Sequence, residues 1–189
     1  ALSSNGRLDV AYDLLNQKTY PSWLYPVTMG ATTIWERWDG IKPDSTFQDK
    51  GMNSFNHYAY GAIGEWLYSV VAGIDVDPKE PGYKHVLIQP QPGGGLTYAQ
   101  ASLNTMYGKV VSDWKIEGDR FTLAVTVPPN THATIRLPGA VQAEVTEGGQ
   151  ALGQVPGITG VRQDGSAVVV ETGSGSYTFS YPATNLGLN

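Results

Sequence analysis

The sequence predicts an α+β chain in two parts: helices joined by long loops over residues 1–78, then an antiparallel β-sandwich over residues 79–189. Two observations carry this prediction. The apolar period shifts from about 3.6 residues to about 2 near residues 75–82, and turn residues then punctuate the chain every few positions. Four of the five tryptophans (Trp23, Trp35, Trp38, Trp66) precede that shift, and only Trp114 follows it.

Each element has its own signal. Leu8, Ala11, Tyr12, Leu14 and Leu15 recur at helical spacing, with Asp9, Asp13 and Gln17 on other faces. A short helix over 22–29 meets Pro26 and must be brief or bent. The segment 54–73, "SFNHYAYGAIGEWLYSVVAG", predicts the longest helix, with Phe55, Ala59, Ala62, Ile63, Trp66, Val70 and Val71 on one face. Ser54 is its expected N-cap and Gly73 its stop. Gly61 and Gly64 each cost about 1 kcal/mol against alanine there, an expense expected to be offset by close packing or by room for a ligand. Beyond "DVDPKEPGYK", the segments "HVLIQPQ", "LTYAQASLNTMY", "KVVSDWKIEG", "RFTLAVTVP", "THATIRLP", "AVQAEVTE", "AVVVET" and "GSYTFSYP" each predict a strand. "GGG", "EGD", "PPN", "PG", "EGG" and "GSGS" supply turn chemistry between them.

Composition excludes several functions. With 41% hydrophobic and 15% charged residues the chain buries a real core. A net charge of −5 and no basic run argue against nucleic acid and anionic membranes as partners. No apolar stretch is continuous enough to span a bilayer. The absence of cysteine removes disulfides and thiolate metal sites. His57, His85 and His132 are far apart in sequence and lack a ligand spacing, and neither a phosphate-binding loop nor a GxSxG elbow occurs. "DVDPKE" offers weak cation binding, against which a solvated linker is the stronger reading. No metal and no organic cofactor is therefore expected. Ala1 leads straight into an amphipathic pattern without an initiator methionine, which suggests a piece of a longer protein.

The chemistry-bearing residues concentrate between 20 and 68, where "GATTIWERWDG" (30–40) sets Glu36 beside Trp35 and close to Trp38. Aromatic faces suit the C–H surface of a sugar, and carboxylates, amides and imidazole suit its hydroxyls. Desolvation by aromatic neighbours also adjusts a carboxylate for acid–base work. A packed helical subdomain with a paired structural charge explains the same residues, and composition does not choose between the two.

The blocks "GATTIWERWDG" and "NSFNHYAYGAIGEWLY", with "PGYKHVLIQPQPGGGLTYAQA", resemble the bacterial α-L-rhamnosidases of glycoside hydrolase family 78, collinearly from residue 1 to about residue 137. The resemblance implies the terminal helices of an (α/α)6 toroid followed by the family's C-terminal β-sandwich. It implies inverting hydrolysis of terminal α-L-rhamnose from a glycoside or polysaccharide. Glu36 then matches the general base that activates water, and His57 matches a histidine that contacts the rhamnose. Trp35 and Trp38 flank the base, and by proximity at least one of them is expected to shape the pocket.

No segment here matches the family's general acid, which lies in an acidic and arginine-rich block earlier in the toroid. The expected partner is therefore the remainder of a parent enzyme, and the 189-residue chain alone is expected to be inactive. The alternative is a non-catalytic carbohydrate-binding or structural β-sandwich module.

Overall fold

The computed structural model describes residues 1–187. They divide into two compact units, Ala1–Trp66 and a second from Leu67 onward. No helix among the described residues is long and apolar enough to cross a membrane.

In the first unit, α1 (Leu8–Asn16) follows the predicted apolar spacing. Its one buried side chain is Tyr12, which meets the Trp66 indole edge-on at 5.1 Å. Trp66 in turn donates its Nε1–H to Ser3 Oγ at 2.8 Å. Helix α2 (Leu24–Thr28) is as short as Pro26 requires. Pro26 falls in its first turn, where the missing N–H breaks no helical bond. The buried Ser22 hydroxyl accepts the Tyr25 N–H at 3.0 Å and so ties down an orphan donor.

The predicted long helix over 54–73 differs from the structure. Helical geometry begins only with a 3-10 turn at Ala59–Ala62 and the single α-turn α3 (Ile63–Trp66). A π-turn at Leu67–Val71 then opens the second unit. Ser54 does not cap a helix, because its N–H and its carbonyl both bond to Glu36. A tertiary pairing has outcompeted the local propensity. Gly61 and Gly64 need no close packing either: a Cβ at Gly61 would meet Ile34 at an ordinary 3.6 Å, and one at Gly64 would meet nothing within 4 Å. Gly73 does stop the helix. Its φ of +84° is a left-handed value, and an added Cβ would lie 2.2 Å from the Pro90 nitrogen.

The second unit is two sheets face to face. The strands are β1 (Ile74–Val76), β2 (His85–Ile88), β3 (Tyr98–Thr105), β4 (Gly108–Glu117), β5 (Arg120–Val127) and β6 (His132–Pro138), followed by β7 (Thr146–Glu147), β8 (Gln150–Ala151), β9 (Ile158–Asp164), β10 (Ala167–Thr172) and β11 (Gly175–Pro182). One sheet runs β1-β2-β6-β10-β9 and the other β3-β4-β5-β11-β7-β8. Alternation is clean on β5, where Phe121, Leu123, Val125 and Val127 point inward. Strand β10, between β6 and β9, is instead apolar on both faces.

Three features depart from the sequence expectation. The sandwich is not wholly antiparallel, because β2 pairs with β6 in parallel, with His85 opposite His132. The segment read as the strand "AVQAEVTE" is a 3-10 turn at Gln142–Glu144 leading to the two-residue β7. There the Gln163 side chain takes the backbone groups a ladder would use, accepting from Gln142 N–H and donating to the Ala140 carbonyl, both at 2.9 Å. Finally, "ITGVRQD" forms β9 despite its glycine and charges, because β10 supplies the pairing partner.

The core packs Trp114, Phe121, Phe179 and Tyr181 with the inward aliphatic residues of both sheets. Its polar ends are satisfied. Trp114 Nε1–H donates to the Val71 carbonyl at 2.7 Å, Ser112 Oγ–H to the Ala72 carbonyl at 2.6 Å, and Tyr181 O–H to the Pro138 carbonyl at 2.8 Å. Ser112→Ala should therefore destabilise the second unit by about 1–3 kcal/mol, the cost of stripping a buried carbonyl of its partner. Urea unfolding reads this directly, and a change under about 0.5 kcal/mol would mean the bond contributes little.

Burial pushes the Tyr12 phenol up to about 12 from its ordinary 10.0. A raised value means that folding retains its full contribution from this group below pH 10 and loses it as pH climbs toward 12. Tyrosinate absorbance on alkaline titration should show several late-titrating phenols, Tyr177 and Tyr181 among them, and one fewer in Tyr12→Phe. That variant should also lose less stability over the same interval.

Candidate active site

The sequence block 30–40 and the segment 53–57 meet in the first unit through five hydrogen bonds, the fifth from Asn53 to Gly40. Glu36 N–H donates to the Ser54 carbonyl at 2.8 Å, and Ser54 N–H returns a bond to Glu36 Oε2 at 2.9 Å. His57 N–H donates to the Ile34 carbonyl at 2.8 Å. The Thr33 hydroxyl donates to the Phe55 carbonyl. Neither segment is a helix or a strand, so side chains and single backbone groups fix the register that a ladder would otherwise set. Glu36 and His57 are both half-buried and lie on the two arms of this bracket.

The aromatic residues support it from one side. Trp35 is buried and meets Phe55 edge-on at 5.2 Å. Gly40 lies against that pair, where an added Cβ would sit 3.0 Å from Phe55 and 3.2 Å from Trp35. Asn53 spans the bend by donating Nδ2–H to the Gly40 carbonyl at 3.0 Å. Trp38 stacks on Tyr60 at 3.7 Å and 17°, and meets Trp23 edge-on at 5.2 Å. Trp23 Nε1–H donates to the Tyr60 carbonyl at 3.0 Å. Trp35 and Trp38 share the wall of a largely apolar cavity of about 310 Å³ with Trp23, Val27, Ile34 and Tyr60. Glu36 and His57 do not line it. This apolar hollow and the candidate chemistry therefore lie apart along the same stretch of chain.

The His57 ring stacks in parallel on exposed Tyr58, with centroids 5.4 Å apart, and its Nδ1 accepts the Ala59 N–H at 3.3 Å. That bond leaves Nε2 as the ring's other hydrogen-bonding atom. Other polar candidates have local duties. Asp44 accepts from both Thr46 N–H and Thr46 Oγ–H, and the hydroxyl bond and the amide bond hold its carboxyl below the usual range. Asp49 accepts the Gly51 N–H, and Asp39 the Gln48 amide. Trp66 belongs to the α1 packing. Sequence reasoning gave Ser54 the wrong role, a helix cap, whereas it bonds Glu36 through its backbone. It placed Asn53 among the polar candidates but missed its pairing with Gly40, which becomes visible only once the loop is folded.

Comparison with known proteins places both units. Residues 1–71 match the bacterial alpha-L-rhamnosidase 6 hairpin glycosidase domain, and residues 73–152 match the bacterial alpha-L-rhamnosidase C-terminal domain. An α-L-rhamnosidase of Streptomyces avermitilis is 45% identical over 181 residues, covering 95% of this chain and 16% of that protein. Its crystal structure, complexed with L-rhamnose, superposes with a TM-score of 0.83. One from Formosa agariphila is 50% identical over 137 residues, 72% of this chain and 15% of the relative. The structure of the Dictyoglumus thermophilum α-L-rhamnosidase is 38% identical, with a TM-score of 0.80 over 96% of this chain and 20% of that one. The chain thus spans about a sixth of the length of the curated relatives it matches. Two adjoining domain matches in the family's order, with identity and fold agreeing across nearly the whole chain, make it a member of the bacterial α-L-rhamnosidase family, corresponding to the family's carboxyl-terminal region.

Proposed function

We propose that this chain supplies the base side of an inverting α-L-rhamnosidase site, with Glu36 as general base and His57 as a contact to the sugar. The observation that carries the reading is the reciprocal pair of bonds between Glu36 and Ser54. One carboxylate oxygen is pinned by a backbone amide, so the group is aimed rather than free to rotate, and Oε1 lies outside that bond. A base needs that arrangement: it must reach the proton of one water in one orientation. In the step itself, the water oxygen attacks the anomeric carbon as Glu36 takes the water proton. The glycosidic C–O bond breaks, and an acid carboxyl protonates the departing oxygen. Such carboxyls stand about 6.5–9.5 Å apart to leave room for the water.

The acid is contributed from outside these 189 residues, and terminal α-L-rhamnose of a glycoside or polysaccharide is the substrate. The relative solved with L-rhamnose supports that choice of sugar. Trp35 and Trp38 act as the wall behind the bracket, holding its shape through Phe55 and Tyr60. A carbohydrate-binding role for the sandwich instead draws no support from its core rings, since Trp114, Phe121, Phe179 and Tyr181 are all fully buried.

In a full-length α-L-rhamnosidase carrying these units, Glu36→Gln should lower kcat by about 10²–10⁴-fold while substrate binding persists. A loss under about tenfold, 1.4 kcal/mol, would sink the assignment. His57→Ala should act mainly through KM, by about 1–3 kcal/mol for a lost sugar hydrogen bond. The pure 189-residue chain should not turn over an aryl α-L-rhamnoside, and steady hydrolysis by it would overturn the division of the site.

A further inference from the structure

Within the second unit, the "DVDPKE" turn, His85 and His132 come together on one face of the sandwich. We infer that Glu80, His85 and His132, with Asp77 at the edge of the cluster, form a binding site for one divalent transition-metal ion of the zinc class. This reading is independent of the glycosidase site and departs from the sequence-based expectation of no metal.

The fold brings the ligands together in two steps. Parallel pairing of β2 with β6 sets His85 directly opposite His132, so both side chains rise from the same face. Their rings lie 4.4 Å apart and nearly parallel, at 13°. The turn after β1 then closes with Glu80 N–H on the Asp77 carbonyl and carries two carboxylates to the imidazoles. Asp77 Oδ2 lies 2.8 Å from His85 Nδ1, and Glu80 Oε1 lies 3.7 Å from His132 Nε2. One ligand atom from each of Glu80, His85 and His132 falls within 4.8 Å of the others.

The hydrogen bonds around His85 point to a cation. Thr134 has one hydroxyl proton and gives it to Glu171 Oε2 at 2.6 Å. Its oxygen, 2.8 Å from His85 Nε2, is therefore an acceptor there, and Nε2 carries a hydrogen. In a neutral ring that leaves a lone pair on Nδ1 facing a carboxylate oxygen at 2.8 Å. Two acceptors at that distance need either a proton on Nδ1, giving an imidazolium–carboxylate pair, or a metal ion beside them. Metal-binding histidines characteristically donate their second N–H to a supporting acceptor backed by a carboxylate, and the relay from His85 through Thr134 to Glu171 has that form. Arg162 holds the far oxygen of Glu171 at 3.3 Å. The nearby Lys84 ammonium is directed elsewhere, to the Asn130 carbonyl and over the Tyr107 ring.

Two imidazoles and carboxylate oxygens suit zinc and its neighbours, whereas calcium and magnesium favour oxygen alone. A metal must lie in the plane of each ring it binds, so one of the stacked rings has to turn. His132 is the one better able to do so: its side chain is 44% exposed and is held by the stack on His85 and the long contact to Glu80. His85, at 14%, is the fixed ligand. The bound ion would fasten the 77–84 turn to the parallel pair.

Calorimetric titration of the metal-free chain with Zn²⁺ tests this, with Mg²⁺ as control. One equivalent should bind saturably, Mg²⁺ should not compete, and the melting temperature should rise. His132→Ala and Glu80→Gln, both on exposed side chains, should each weaken binding at least about tenfold. Thr134→Val should weaken it without removing a ligand. Absence of saturable binding overturns the proposal, as does binding unchanged in both His132→Ala and Glu80→Gln. So does an NMR result in which the His85 ring carries both protons with Zn²⁺ in excess, for then a proton alone fills the gap.

Discussion

The first unit depends on one reciprocal contact, in which Ser54 receives a bond from the Glu36 amide and returns one to its carboxylate. Between Met29 and Tyr58 the chain has no helix and no strand beyond an isolated bridge at Ile41 and Phe47. Ordering so long a loop costs about 1–2 kcal/mol per residue in backbone entropy, and loops of this kind persist only where side chains hold them. The bracket does so by spending specific groups: an amide on a carboxylate, an asparagine on a carbonyl, and a glycine where two rings leave no room for a Cβ. Its rigidity is a property of contacts far apart in sequence, while its regular secondary structure is almost nil.

The second unit reaches its order by the opposite route. Eleven strands among the described residues carry their own pairing, and the core seals the carbonyls of Val71 and Ala72 with the Trp114 indole and the Ser112 hydroxyl. The helical run thus ends on groups buried in the sandwich, and Gly73 turns the chain at the only kind of residue its φ and the nearby Pro90 backbone allow. A parallel pair inside an otherwise antiparallel sandwich needs a long crossover, here β3 through β5 in the facing sheet. That crossover carries His132 back beside His85.

What was legible in the sequence follows from these two routes. Strands such as 120–127 announce themselves, because alternation is a local consequence of burying one face. The α1 face and the short α2 were likewise readable from apolar spacing and from Pro26. The 54–58 stretch was not, since Ser54 looks like a helix cap until Glu36 claims both of its backbone groups. The quoted blocks drew attention to Glu36 and His57 as residue types in a recognisable setting, but the bonds that orient them run through backbone atoms of other residues. The histidine pair was invisible for a related reason: ligand spacing is measured along the chain, whereas register across a parallel ladder is not.

The bracket also bears on how an inverting site tolerates division between segments. With Glu36 as the base, as proposed, its direction is set by Ser54 within the same unit, and no distant segment is needed to aim it. What the acid-bearing segment must supply is then a separation, not an orientation for the base. Separation is demanding in its own right, since misplacing a reacting group by about 1 Å can cost about a hundredfold in rate. The wall of Trp35, Phe55, Trp38 and Tyr60 is suited to that demand, because edge-on and stacked rings resist sliding while presenting an apolar face. If Glu36 is the base, as proposed, this aromatic packing gives its loop a surface stiff enough for a second carboxylate to be positioned against.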